Sequence, residues 1–397
     1  MAARRPDVVI LGAGLAGGLV ALALRRARPE LRVVLFEEGD APGGNHVWSF
    51  FGSDVGTAGR ELIAPMVTAA WRDYAVRFPG GARRLDTSYY SITSGRFAAV
   101  LRKAMPRAAI RTGTRVVACE ADEVTLADGT RIACGAVIDA RGIRNYHQVS
   151  GGWQKFLGRR LKLARPHGLE RPLVMDASVE QLDGFRFVYC LPFAADEVFV
   201  EDTYYSDSPA IPTATLATRI DAYARAQGWE VSEVLGEEEG LLPVVAGGDF
   251  EAFWRAGGGN VARAGSRAGL FHPLTSYSLP EAVRFALAIA GEADLSGAAL
   301  ARFAEDWARR HWQAAGYYRK LAAMLFAAAA PAERWRVLAR FYTLDRRLIE
   351  RFYAGRSTLA DKARILAGRP PVPLGRALSV LAAGNAATRP LNPAEAR

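Results

Sequence analysis

The segment DVVILGAGLAGGLVALALRR, residues 7–26, constrains the fold more than any other part of this chain. Four apolar residues, Val8 to Leu11, predict a buried strand, and the apolar run after the glycines predicts a helix reaching about Arg28. Between them, Gly12, Gly14 and Gly17 have GxGxxG spacing. Gly12 permits a tight turn, Gly14 lets the backbone approach a pyrophosphate, and Gly17 lets helix and strand pack closely. The free amides of the helix N-terminus then face the phosphates. A second strand, RVVLFEE, brings Glu37 to a position twenty residues past Gly17, where a carboxylate accepts the ribose hydroxyls of a dinucleotide.

The chain beyond Glu37 favours FAD over NAD as the resident dinucleotide. Residues 118–142, ACEADEVTLADGTRIACGAVIDARG, predict a meander turning at Asp128-Gly129 and running into a strand that ends at Asp139 and Gly142. Such an insertion returns a flavoprotein chain to its nucleotide sheet. Ser94 is expected to cap a helix beginning GRFAAVLRKA, which places Arg96 near the cofactor phosphates. Residues 260–290 predict a strand ending near Gly265, a glycine-rich loop, and a helix starting near Ser278. The expected fold is therefore α/β: a doubly wound FAD-binding domain, discontinuous in sequence, with an inserted mainly-β substrate domain and a helical C-terminal region. The boundaries are 1–50, 90–150 and 260–300 for the first, 51–89 and 151–259 for the second, and 301–397 for the third.

Length and composition suffice for one large core or two linked ones: 397 residues, 50% of them hydrophobic. Cys119, Cys134 and Cys190 lack CxxC spacing, so neither a disulfide scaffold nor a metal site is expected, and a reducing cytoplasm is the expected location. Only Arg4 and Arg5 precede the first strand, which does not fit a cleavable signal peptide. The longest apolar run, between Lys320 and Glu333, is cut by Pro331 and is too short to span a bilayer. The formal charge of +10 is uneven, because residues 301–397 carry 18 basic against 7 acidic groups. A basic helical region of this kind meets nucleic acid, anionic lipid or plain solvent. No nucleic-acid-binding module accompanies it, so nucleic acid is not an expected partner.

Four further segments carry a resemblance: GGNHVWSF at 43–50, FVYCLPF at 187–193, FVEDTYY at 199–205 and FHPLTSYSLPEAVRFA at 271–286. In that order they resemble the bacterial lycopene beta-cyclase family of flavoproteins. The resemblance implies a long apolar polyene, lycopene, whose acyclic psi end closes to a beta ring with no net oxidation. A proton adds to the terminal C1=C2 bond, carbon 6 attacks the tertiary cation, and a proton is lost. It further implies reduced FAD, with NAD(P)H as reductant. Pro273 and Thr275 join Gly12, Gly14, Gly17, Glu37, Arg96, Gly142 and Gly265 as expected cofactor-binding positions.

Such chemistry needs an acid able to protonate an alkene and a pocket that excludes water. Side chains alternate along a strand, so Phe199, Glu201 and Thr203 share one face while Val200, Asp202 and Tyr204 share the other. The resemblance assigns proton transfer to Glu201, with Asp202 as a neighbour that raises its pKa by like charge. Trp48, Phe50, Phe187 and Tyr189 are the expected aromatic lining, while His46 and His272 are read first as structural. Two rivals share this nucleotide domain: a redox flavoenzyme, such as a monooxygenase or prenyl reductase, and a non-catalytic lipid escort. No CxxxxC pair accompanies the glycine loop, which argues against a disulfide reductase. A water-insoluble polyene also implies docking on an anionic membrane surface. Trp307, Trp312, Trp335, Phe341 and Phe352 are expected to enter the interface beside Arg346, Arg347 and Arg351.

Overall fold

A computed structural model describes residues 5–143, 146–258, 260–368, 372, 374–383 and 388–392. Its nucleotide domain is a five-stranded parallel sheet in the order Ala262–Arg263, Ala136–Asp139, Val8–Leu11, Val33–Phe36, Ile110–Arg111. Val8 and Ile10 point into a core shared with the helices Leu15–Ala27 and Leu279–Ala290. Val9 and Leu11 point the other way, against an antiparallel meander of Val116–Cys119, Glu123–Leu126 and Arg131–Ala133. Burial on both faces explains the uninterrupted apolar strand.

The substrate domain is built on an eight-stranded sheet. Its main order is Val231–Gly248, Val149–Leu163, Glu197–Ser206, Phe185–Ala194, Leu173–Asp176, Tyr74–Phe78, Gly81–Leu85. One face packs beneath the helix Thr213–Ala226 through Leu157, Val188, Val200 and Tyr204. The other face carries Phe185, Phe187, Tyr189, Phe199 and Tyr205, and meets the C-terminal helices. The strands Val47–Phe51, Ala69–Trp71 and Tyr89–Thr93 form a small sheet joining the two domains.

Phe250, Phe253 and Trp254 from the helix Phe250–Ala256, and Leu300, Ala304 and Ala308 from the helix Gly297–Ala314, are buried in the same core as Val8 and Ile10 of the parallel sheet. The tail aromatics differ from expectation. Phe341 and Phe352 lie in the core under the substrate sheet, and Trp307 packs on Phe285 and Phe303. Trp312 stacks against Arg319, whose guanidinium carbon is 3.9 Å from the ring centroid, and Trp335 packs against the substrate-domain core. An amphipathic helix buries its aromatic stripe wherever a sheet stands ready to receive it. Among the described residues, no helix is long and apolar enough to cross a membrane.

Candidate active site

The glycine loop is built for close approach. Gly12 has φ +89°, a left-handed conformation that favours glycine. A Cβ on Gly17 would lie 2.0 Å from the Gly12 carbonyl oxygen, whereas one on Gly14 would meet nothing within 4 Å. Among the described residues, Gly14 therefore faces open space. Glu37 sits just past the second strand, its Oε2 accepting the Ala13 N–H at 2.7 Å and its Oε1 the Gly39 N–H at 2.9 Å. Asp139 is buried at the end of its strand. Burial opposes its ionisation, but Arg141 at 2.9 Å and Arg267 at 3.2 Å hold its carboxyl below the ordinary range. That pairing pins the loops bearing Gly142, φ +77°, and Gly265, φ +61°.

The helix after the strand Tyr89–Thr93 spans Ser94–Ala104, and its cap is Thr93 rather than Ser94, accepting from the Arg96 N–H. Arg96 is exposed in the first turn, with Nε donating to the Pro65 carbonyl at 2.8 Å. The segment 43–47 is strapped over the glycine loop: the Gly43 N–H donates to the Ala13 carbonyl at 3.0 Å and the Ser94 N–H to the His46 carbonyl at 2.8 Å. The loop 272–278 is tied to the strand Val231–Gly248 by the Val245 N–H donating to the Pro273 carbonyl at 2.9 Å. His272 organises it, its Nδ1 accepting the Leu274 and Thr275 N–H groups at 3.3 Å each. Burial pushes the His272 imidazole down to about 3, so it stays neutral near neutral pH. Thr275 Oγ1 is buried with no hydrogen-bond partner among the described residues, close to the start of the helix Leu279–Ala290. An open Gly14, a carboxylate at the ribose position and an unsatisfied buried hydroxyl beside a second helix N-terminus fit FAD. Glu37→Ala is expected to release FAD at least about tenfold more readily by removing the ribose acceptor. Flavin absorbance after gel filtration checks this, and full retention would contradict it.

The acid candidates separate by strand parity. Glu201 stands directly opposite Tyr189 on one neighbouring strand and Gly158 on the other, on the aromatic face. Thr203 Oγ1 donates to Glu201 Oε1 at 2.5 Å. Burial, opposed by that bond and aided by the charges of Glu238 and Asp202, pushes the Glu201 carboxyl up to about 8. It therefore keeps its proton at neutral pH. Asp202 faces the opposite way, fully buried, with Oδ1 2.7 Å from Arg186 Nε and Oδ2 accepting the Tyr204 hydroxyl at 2.6 Å. One oxygen is held in a buried ion pair and the other by the Tyr204 hydroxyl, so Asp202 does not face the space that Glu201 faces.

Of the expected aromatic lining, Phe187 and Tyr189 share the Glu201 face. Trp48 and Phe50 do not. They point into the nucleotide-domain core, Trp48 edge-on to Phe97 and Phe50 stacked on Tyr90. The alternate residues of that strand, Ser49 and Phe51, take the inner side, with Ser49 Oγ 2.7 Å from Ser91 Oγ and Phe51 in the substrate-domain core. Three residues escaped sequence reasoning. Tyr89 and Tyr277 bring their hydroxyls to Tyr189: Tyr89 bonds Tyr189 directly and lies 3.5 Å from Tyr277. Burial raises all three phenols well above their ordinary value, so they remain neutral. Glu238 is the third, buried on the same sheet face and bonded to His46. A run of three glutamates reads as a solvated edge, so only the strand register identifies the middle one as inward.

Against known proteins, residues 7–379 match the profile of the lycopene cyclase protein family. The chain belongs to the lycopene cyclase family. It is 46% identical over 371 residues to a lycopene beta-cyclase of Pseudescherichia vulneris, covering 94% of this chain and 96% of that one. A lycopene beta-cyclase of Paracoccus sp. is 43% identical, with 94% and 97% covered. Family membership makes this chain an enzyme of lycopene cyclisation in carotenoid biosynthesis. Among solved structures, p-nitrophenol 4-monooxygenase from Pseudomonas putida is similar at TM-score 0.57 and 16% identity, covering 89% of this chain and 99% of that one. A geranylgeranyl bacteriochlorophyll reductase-like protein from Thermoplasma acidophilum is similar at 0.56 and 12%, covering 96% and 99%. These two likenesses show a shared fold.

Proposed function

We propose that this lycopene cyclase closes the psi ends of lycopene to beta rings without net redox change, with Glu201 as the acid. The observation that carries the reading is a carboxyl on the aromatic face of the substrate sheet, directly opposite Tyr189 and bonded to Thr203, which burial pushes up to about 8. A protonated carboxyl in that setting delivers a proton to the terminal alkene, and the surrounding rings keep water from the cation. Each aromatic face over the positive carbon contributes on the order of 0.5–2 kcal/mol. Gly12, Gly14, Glu37, Arg96, Gly142, Gly265, Pro273 and Thr275 are the proposed FAD-holding positions. FAD in its reduced form supplies an electron-rich ring that stabilises positive charge, with NAD(P)H as the proposed reductant. Anaerobic incubation with lycopene, FAD and a reductant tests the reading by product separation. A cyclised isomer of unchanged mass is expected. Oxygenated or hydrogenated products would instead identify a redox flavoenzyme, and tight binding without conversion an escort protein.

Peripheral docking on an anionic membrane belongs to the same proposal, with a different surface from the one the sequence pointed to. Arg346 pairs with Glu350 at 2.8 Å, and Arg351 grips Asp361 through two bonds of 2.6 and 2.7 Å. The exposed apolar residues lie further along: Leu359 and Leu366, seven apart on the helix Leu359–Leu366, and Leu378 on the helix Leu374–Ala383. Exposed Arg364 and Arg376 stand on the same helices. Leucines entering a bilayer between arginines that meet anionic head groups fit interfacial docking, at about 1 kcal/mol per basic group. Replacing the three leucines by serine is expected to cut sedimentation with anionic liposomes at least about fivefold, leaving flavin content unchanged. Unchanged sedimentation would contradict this docking face.

A further inference from the structure

Glu238 lies across the substrate sheet from Glu201. Gly158, on the strand between them, pairs with Glu201 on one side and with Glu238 on the other, so all three positions share one row and one face. Strands are spaced about 4.8 Å apart, which puts the two glutamate backbones roughly 10 Å from each other. Gly158 has no side chain to fill the middle position, and the Phe199 ring covers it instead. A Cβ on Gly158 would lie 2.2 Å from the ring's Cζ. An apolar ring, rather than water, therefore lies over the middle of the row, where it limits dielectric screening between the two carboxyls.

Glu238 is also fixed in place. Its Oε1 lies 2.9 Å from His46 Nδ1, and its Oε2 accepts the Val47 N–H at 2.9 Å. Both partners belong to the segment 43–47 that is strapped over the nucleotide loop. The Glu238 side chain is 8% exposed, whereas that of His46 is 49% exposed. We propose that Glu238 is a positioning residue for the reaction: its charge, clamped onto the Glu201 face by His46 and Val47, holds the proton on Glu201 until the alkene arrives. This rests on the reading of Glu201 as the acid.

Other groups near Glu201 do not supply that charge. Thr203 donates a hydrogen bond, which favours the ionised acid, and Tyr189 opposite is a neutral phenol bonded to Tyr89. Asp202 lies on the far face, its charge matched by Arg186. Arg160, two residues from Gly158 on the near face, turns to Glu197 at 3.0 Å. Next to Glu238, Glu237 turns to Arg159 at 2.6 Å, and Glu239 accepts the Thr213 hydroxyl at 3.0 Å. Of the two charges that oppose loss of the Glu201 proton, those of Glu238 and Asp202, Glu238 is the one clamped on the Glu201 face.

The experiment is the pH dependence of lycopene cyclisation by the FAD-loaded enzyme and its Glu238→Gln and Glu238→Asp variants. The amide still accepts the Val47 N–H but carries no charge. Glu238→Gln is expected to move the alkaline limb of kcat down by about one unit. Turnover would then be about tenfold lower above pH 8 and unchanged near pH 6, with KM for lycopene and flavin content as in the parent. Glu238→Asp, which keeps the charge, should leave the limb within about 0.3 unit of the parent. An unmoved limb in Glu238→Gln, or an equal loss of kcat at every pH, would overturn the proposal. A different result marks failure of the underlying reading: cyclisation that survives in Glu201→Gln would show that another group is the acid.

Discussion

Glu201→Gln is expected to abolish cyclisation, lowering kcat by at least about 10³-fold, while FAD and lycopene still bind. The amide keeps the shape of the side chain and still accepts the Thr203 hydroxyl, but it has no proton acidic enough for an alkene. In the parent enzyme, turnover needs the protonated acid, so the rate should fall as pH rises through about 8. The same substitution should stabilise the fold. Glu201 binds its proton more tightly when folded, at about 8, than at its ordinary value of 4.5. Folding with this group becomes costlier as pH rises from about 4.5 to 8 and is uniformly so above that range. The glutamine variant should therefore be more stable than the parent at pH 8 by about 1–2 kcal/mol, allowing for partial solvent access, with the gap closing below pH 4.5. Chemical denaturation at several pH values checks the sign. A variant that is less stable at pH 8 would give Glu201 a structural role instead.

Asp202→Asn should behave in the opposite sense. Arg186 and Asp202 are both buried and form an ion pair of 2.7 Å, and Tyr204 bonds the other carboxylate oxygen. Removing one charge leaves a buried guanidinium without its counter-charge, at an expected cost of about 3 kcal/mol in stability. Thermal unfolding should move down by several degrees, while molecules that remain folded keep most of their kcat. An Asn variant of parental stability but no activity would exchange the roles of the two carboxylates.

The parts of the molecule governed by local rules were legible in the sequence. The glycine spacing predicted the turn at Gly12 and the contact at Gly17, because both depend on residues within one turn of chain. The Asp128-Gly129 turn followed from turn chemistry, and the helix begins beside Ser278 as expected, although the Ser278 side chain makes no cap bond. The opposite facing of Glu201 and Asp202 followed from alternation alone. The same alternation did not orient Val47–Phe51, because Phe50 and Phe51 are both buried and no polar residue marks a solvent side. Glu238 and Tyr277 were out of reach because they meet their partners across more than 180 residues. The tail showed amphipathic helices but not what their apolar stripes would face, so buried Phe341 and Phe352 read like membrane anchors.

The central claim is that ring closure is started by a proton and moves no electrons from the reductant into the product. Its most direct test is turnover of lycopene by reduced, FAD-loaded enzyme in heavy water, counting deuterium in the product and nicotinamide oxidised. The account predicts one deuterium per ring, on the carbon next to the gem-dimethyl group, with far less nicotinamide consumed than rings formed. One nicotinamide oxidised per ring, or rings without deuterium at that carbon, would contradict it.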